Sequence, residues 1–288
     1  MPTIFKTEDG ARAVHERYAE VLAWWPVPNQ QLRLPTREGE TFVVACGPTD
    51  APPLVLFHGA QSNAATWMGD AIAWSKTFRV YAVDVIGDVG FSAPSRPPME
   101  TEAHALWLDD LFAGLGLTKA SLAGMSLGGW LALDYATRRP QRVEALVLLC
   151  PAGVGAQKNL LAKAWPLLLL GPWGATRMRE MVLGPRPATT SPAQAAFGAF
   201  IKLVFDNVRP RVVKIPVLSD EALARLTMPV MAVVGGKDVL IDSDQTRRRL
   251  EAVVPNVSVR YLPEAYHMLP SQTAEVLTFL QGAIGAAR

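Results

Sequence analysis

Residues 120–131 read Ala-Ser-Leu-Ala-Gly-Met-Ser-Leu-Gly-Gly-Trp-Leu, and few backbones accommodate them. The stretch starts as a short apolar strand and ends in a helical pattern. Between the two sits Gly124-Met125-Ser126-Leu127-Gly128, a Gly-x-Ser-x-Gly. A strand that turns at once into a helix brings the backbone on either side of the serine close together. A Cβ at either flank would clash, so glycine is required there. Such a turn strains Ser126 and lifts its hydroxyl above the strand end. It also places the N–H of Leu127 at a helix N-terminus, where negative charge is favoured. The pattern alone is weak, because glycine and serine are common in ordinary strand–helix turns. Its weight comes from the strand before it, the helix after it and the partners downstream.

Those partners sit in an alternation of strands and helices. Residues 7–25 predict an amphipathic helix with Thr7 as N-cap and Val14, Tyr18, Val21, Leu22 and Trp25 on one face. Pro26 and Pro28 end it. It reads as an arm packed on the core, with a homodimer contact or interfacial membrane binding as alternatives, and His15 is expected at its surface. Residues 30–47 read as an edge hairpin around Arg37-Glu38-Gly39-Glu40. Leu54–Phe57 and Phe78–Asp84 suit strands buried on both faces, and helices are expected over 62–76 and 101–115. Trp67 is assigned to the core, Asp109 and Asp110 to solvent, and His104 to a structural role. The next strand is Val143–Cys150. Asp134 and Arg138, four apart on the nucleophile helix, read as a surface pair. Asp84 and Asp88 read as holding their loop through hydrogen bonds to backbone.

From about Gly153 the alternation breaks. Residues 153–225 are rich in Leu, Trp, Met, Pro and Ala, with helical pieces around 157–170, 174–183, 192–207 and 219–226. This predicts a helical cap inserted between two sheet strands. Trp165, Trp173, Met178, Met181, Phe197 and Phe200 are its candidate pocket residues, although most such side chains simply pack the cap. The sheet pattern resumes at Met228–Asp238 and Val257–Leu262, each followed by a helix. The expected division is 1–152 as the first part of an α/β core, with 1–29 as its helical arm, then the cap, then 226–288. A mostly parallel sheet covered by helices follows, with ligands at the carboxyl ends of its strands.

A serine hydroxyl barely ionises at neutral pH and needs a base within hydrogen-bond reach, itself oriented by a third group. The sequence offers one histidine after Ser126, His267, on a loop following the last strand. Several acids are available. Asp238 follows a strand through Gly-Gly-Lys-Asp and so caps the same sheet end. Asp242 and Asp244 read better as helix N-terminal residues, and Asp220 and Glu264 are further rivals.

On the Trp24-Trp25-Pro26-Val27-Pro28 entry, Phe57-His58-Gly59-Ala60 and Gly-Met-Ser-Leu-Gly-Gly, the chain resembles the α/β-hydrolase family, over nearly its whole length. It looks closest to bacterial serine carboxylesterases of a naproxen-esterase-like subgroup. The resemblance implies a mostly parallel sheet of about eight strands with helices on both faces and an inserted cap. It implies the order Ser126, Asp238, His267, with Asp238 as the acid, and backbone N–H groups of Ala60 and Leu127 as oxyanion donors. His58, before the glycine, then braces its loop. The family often shows Asp-x-x-Gly-x-Gly-x-Ser after the fourth strand. Here Asp84–Ser92 has one more residue between the glycines.

The expected function is hydrolysis of carboxylic esters of apolar or aryl substrates through an acyl-enzyme, with no cofactor and no metal. The same triad acting on lactones, amides or C–C bonds is the near alternative. A small-molecule binding protein with slow turnover is the alternative of another class. Dehalogenases and epoxide hydrolases of this fold use a carboxylate nucleophile, which Ser126 argues against. A net charge of +2 gives no pull on nucleic acid, and Arg247-Arg248-Arg249 reads as a solvated face. Cys46 and Cys150 read as buried apolar residues, and no spacing suggests zinc. With no early apolar segment and a longest apolar run, residues 164–170, too short to span a bilayer, the expected location is the cytoplasm.

Overall fold

In the computed structural model, which describes residues 4–159, 167, 170–185, 191–209, 211 and 213–285, the apolar runs form the middle of one sheet. Its strands are β1 (Asn29–Thr36), β2 (Gly39–Cys46), β3 (Pro53–Phe57), β4 (Arg79–Val83), β5 (Ala120–Met125), β6 (Val143–Leu149), β7 (Val230–Gly235) and β8 (Val257–Leu262). They lie in the order β1-β2-β4-β3-β5-β6-β7-β8. The edge hairpin pairs antiparallel, β2 meets β4 antiparallel, and every other pairing is parallel. Central strands are buried on both faces, which is why they are continuously apolar. Val55 and Phe57 enter the core on one face with Leu108 and Leu131; Leu54 and Leu56 enter the other with Val21 and Leu280. Each such side chain stabilises the fold by about 1.5–3 kcal/mol as an upper estimate. On edge strand β1 exposed and half-buried residues alternate toward its end, as a strand with a wet face requires.

Helix α1 (Glu8–Ala23) begins at Thr7, whose hydroxyl accepts from the Gly10 N–H, and its buried face is the expected one through Leu22, with Trp25 buried beyond its end. His15 departs from its expected exposure: it is half-buried, edge-on to Phe5 with ring centroids 5.0 Å apart. The arm packs on the helix Pro192–Asn207, where Tyr18 stacks on Phe200 at 5.9 Å. The segment expected as one helix over 62–76 opens with a 3-10 turn, Ala64–Trp67, capped by Asn63, before α2 (Met68–Trp74). α3 (Ala103–Gly114) and α4 (Leu127–Arg138) pack side by side on one face.

Between β6 and β7 the described chain carries the helices Gly171–Leu183, Pro192–Asn207 and Asp220–Leu223. Trp165 and most of the piece expected over 157–170 lie outside the described residues. Trp173 is exposed, Met178, Met181 and Phe197 are half-buried, and Phe200 is core. Three charged residues differ from expectation. Asp134 is buried rather than at the surface, with its partner Arg138 half-exposed at 2.8 Å. Asp109 is half-buried and accepts from Tyr135, Arg139 and Arg142. Arg249 is half-buried rather than a solvated face: its guanidinium donates to the carbonyls of Val154 and Leu218 and pairs with Asp220, tying both ends of the 153–225 segment to the helix Ser243–Val253. Periodicity marks which face is apolar, but not that a long side chain folds back over that face.

Candidate active site

Ser126 connects β5 to α4 with φ +53° and ψ −112°, a backbone that L-residues rarely adopt. Neighbouring strands hold it there. Its N–H donates to Leu149 O at 2.9 Å, and its carbonyl accepts from Trp130 and Ala152 N–H at 3.1 Å each. The flanking glycines are required by space. A Cβ on Gly124 would lie 2.2 Å from Gly128 O, and one on Gly128 would lie 2.1 Å from Phe57 O. Both obstacles are backbone in packed elements and cannot swing aside. Gly128→Ala is therefore expected to destabilise the protein by at least the ~3 kcal/mol upper end of ordinary overpacking. Urea unfolding checks this; a midpoint near wild type would show that the turn has room.

The turn presents the Ser126 hydroxyl, half-exposed, to the loop after β8. His267 Nε2 lies 2.9 Å from Ser126 Oγ, and His267 Nδ1 lies 2.7 Å from Asp238 Oδ2. Asp238 Oδ1 accepts the N–H groups of Leu240 at 2.7 Å and Ile241 at 3.0 Å. Burial works against charge on Asp238, but the hydrogen bond and charge of His267, with those two N–H groups, hold its carboxyl below the ordinary range. The two loops meet because glycines let them cross. A Cβ on Gly235 would lie 2.4 Å from Tyr266 O, and Lys237 N–H donates to Ala265 O at 2.8 Å. The rival acids are elsewhere. Asp242 caps the helix Ser243–Val253, Asp244 sits in its first turn, Asp220 pairs with Arg249, and Glu264 pairs with Lys237 at the surface.

The loop after β3 runs past the serine on the other side. A Cβ on Gly59 would lie 3.5 Å from Ser126 Cβ, so the backbone entering Ala60 passes directly beside the nucleophile turn. Leu127, at the first position of α4, presents an N–H that has no partner within the helix. His58 braces this loop as expected. Its Nδ1–H donates to Gly59 O at 2.7 Å and its Nε2 accepts from Val85 N–H at 2.9 Å. Burial pushes its pKa down to about 4, so the ring is neutral.

Asp84 and Asp88 hold the same region. Asp84 accepts from Ala64 N–H, Phe91 N–H and the Tyr18 hydroxyl, each at 2.8 Å. Asp88 accepts from Gln61 N–H at 2.8 Å and Val89 N–H at 3.0 Å, fixing Gln61 at φ +58°. Burial pushes the Asp88 carboxyl up to about 7. A folded-state value above the unfolded one makes the folded form the better proton binder. The stability that this gives is full below about pH 4 and is lost as pH rises to about 7. Asp88→Asn keeps an acceptor oxygen and removes the titration. It is expected to flatten that part of the stability–pH curve and to melt at or above wild type at pH 8. Thermal unfolding across pH 4–8 checks it; an unchanged slope would assign the proton to another group.

Two side chains beside Asp238 carry no motif: Lys158, whose ammonium donates to Asp238 O at 2.7 Å, and Cys150. Among the described residues, Cys150, Asp238 and His267 form one group whose ligand atoms lie within 4.8 Å of one another. The carboxylate and imidazole there already bond to each other, so a metal would have to break that bond. No described helix is long and apolar enough to cross a membrane.

Comparison with known proteins agrees in fold and length. The family model described as "Alpha/beta hydrolase family" matches residues 54–278. The chain is 32% identical over 286 residues to carboxylesterase YbfK of Bacillus subtilis, covering 96% of each protein. It is 30% identical to the Bacillus subtilis protein named "Uncharacterized carboxylesterase nap", covering 99% of this chain and 98% of that one. The crystal structure of naproxen esterase (carboxylesterase NP) from Bacillus subtilis superposes with a TM-score of 0.81 at 29% identity, over 97% of this chain and 99% of that one.

Proposed function

We propose that this chain, which belongs to the alpha/beta hydrolase family, is a serine hydrolase that cleaves carboxylic esters of apolar or aryl substrates through Ser126, His267 and Asp238. The observation that carries the reading is the unbroken line of contacts from Ser126 Oγ to His267 to Asp238, at 2.9 and 2.7 Å, on the strained turn. Carboxylesterase relatives at about 30% identity over nearly the full chain support the bond class. The apolar content of the 153–225 segment, read as a cap, supports an apolar substrate.

In the proposed cycle Ser126 Oγ attacks the ester carbonyl while His267 Nε2 takes its proton. Asp238 holds the tautomer in which Nε2 is free to accept and stabilises the imidazolium that forms. The N–H groups of Ala60 and Leu127 receive the oxyanion; one such donor is worth about 3–4 kcal/mol in the transition state. The carbonyl–alkoxy bond breaks, and the alcohol leaves with the proton returned by His267. Water then attacks the acyl-enzyme with His267 again as base, releasing the carboxylic acid and restoring Ser126. Two cysteines kept as free, buried thiols suit a reducing cytoplasm.

The test combines an organophosphonate probe with a panel of p-nitrophenyl esters of increasing acyl length. The expected result is a single label on Ser126, dependent on His267, and sustained turnover that improves with apolar acyl groups. A burst followed by negligible turnover would favour the slow binding protein instead.

A further inference from the structure

The Cys150 side chain occupies a place that composition alone assigns to an inert apolar residue. Cys150 directly follows β6, is 1% exposed, and has φ +42°, a left-handed conformation that favours glycine. Its N–H donates to Val233 O on β7 at 2.8 Å, so the residue is pinned between the two strands whose ends bear on the site. The neighbouring carbonyl, Leu149 O, holds the Ser126 N–H. The left-handed turn aims the thiol at the acid: the sulfur, an Asp238 carboxylate oxygen and a His267 ring nitrogen lie within 4.8 Å of one another. The sulfur thus lies beside the Asp238 carboxylate, which, with burial, raises the thiol's pKa. A carboxylate only accepts, so a hydrogen bond between the two has the thiol as donor.

We propose that Cys150 is a positioning residue for the acid of the triad: its S–H donates to the Asp238 carboxylate, fixing the carboxylate toward His267 and drawing charge away from it. The Asp238 carboxylate, which accepts from His267, Leu240 and Ile241, then gains a fourth donor in Cys150. Burial, together with the adjacent carboxylate, pushes the thiol well above its ordinary range. It therefore stays protonated at the pH of catalysis, as a donor must. A carboxylate with one donor fewer is more basic and stabilises the imidazolium more in the resting enzyme. The base is then protonated at higher pH, and the acidic limb of the kcat/KM profile moves up. The charges nearby come from Lys158, on the Asp238 carbonyl, and from the Lys237–Glu264 pair; substitutions at 150 leave them in place.

This inference rests on reading Ser126, Asp238 and His267 as the triad. The experiment therefore begins with phosphonate labelling of the wild type, whose absence would overturn that reading first. Cys150→Ala, Cys150→Ser and Cys150→Gly are then compared on p-nitrophenyl acetate, with active sites counted by the phosphonate. Cys150→Ala is expected to lose roughly fivefold in kcat, the size of one weak neutral hydrogen bond, with KM little changed. Its acidic limb should move up by about half a pH unit. Cys150→Ser restores a donor and should return the limb toward wild type. Cys150→Gly suits the positive φ, so it should fold at least as well as wild type yet behave like Cys150→Ala in kinetics. A glycine variant with wild-type kcat and limb would reduce Cys150 to a packing role, as would a serine variant no better than alanine.

Discussion

Replacing Ser126 with alanine is expected to lower kcat on p-nitrophenyl esters by about a millionfold, with KM changing little. The loss is this large because the strained turn, the 2.9 Å contact with His267 and the passing 59–60 backbone all converge on Oγ. Stability should hardly move, since the side chain is small and half-exposed, and replacing a residue at φ +53° by alanine keeps the same backbone strain. His267→Ala should cost about as much, and the double variant little more, because the two act as one unit. Purified variants are assayed with active sites titrated. A Ser126→Ala enzyme retaining more than about a hundredth of wild-type kcat would remove the acyl-enzyme mechanism.

The sequence carries this site legibly where local geometry forces residue choice. Gly124 and Gly128 are readable because backbone fills the space where their Cβ atoms would go. The strands are readable because burial on both faces permits only apolar runs. His267 is readable by elimination, being the last of four histidines. The acid is less so. Asp238 and Asp242 both follow β7 within a few residues, and only the crossing of the 235–238 and 263–267 loops decides which one reaches the imidazole. Contacts between residues distant in the chain leave no local trace. Tyr18 and Asp84 are 66 residues apart and Lys158 and Asp238 are 80 apart; no periodicity links either pair. His15 shows the same limit, since it reads as surface on its own helix and is packed against Phe5 and Phe91 from outside that helix. The helices Gly171–Leu183 and Pro192–Asn207 are legible in composition, but which of their side chains would meet a substrate is not, because Met and Trp at helical spacing serve packing and substrate equally well.

Asp238→Asn is expected to lower kcat by about ten-thousandfold at neutral pH while leaving the fold intact. The substitution is nearly isosteric. Asparagine keeps an oxygen for the Leu240 and Ile241 N–H groups, which hold Oδ1 at 2.7 and 3.0 Å, so the loop has no reason to rearrange. What changes is the other atom. The amide Nδ2 is a donor where Oδ2 accepted from His267 Nδ1, so the ring is driven to the tautomer with the proton on Nε2. That nitrogen then faces Ser126 Oγ as a donor and cannot take the hydroxyl proton. The imidazolium also loses its anionic partner. Losing a negative charge while keeping the shape predicts a kcat loss far larger than any shift in melting temperature. Phosphonate labelling should slow in the same proportion, because it depends on the same proton transfer. Asp242→Asn and Glu264→Gln serve as controls, since these residues cap a helix and pair with Lys237 respectively, and both should stay within a fewfold of wild type. An Asp238→Asn enzyme within tenfold of wild type, beside an inactive Asp242→Asn or Glu264→Gln, would transfer the acid's role to the other residue.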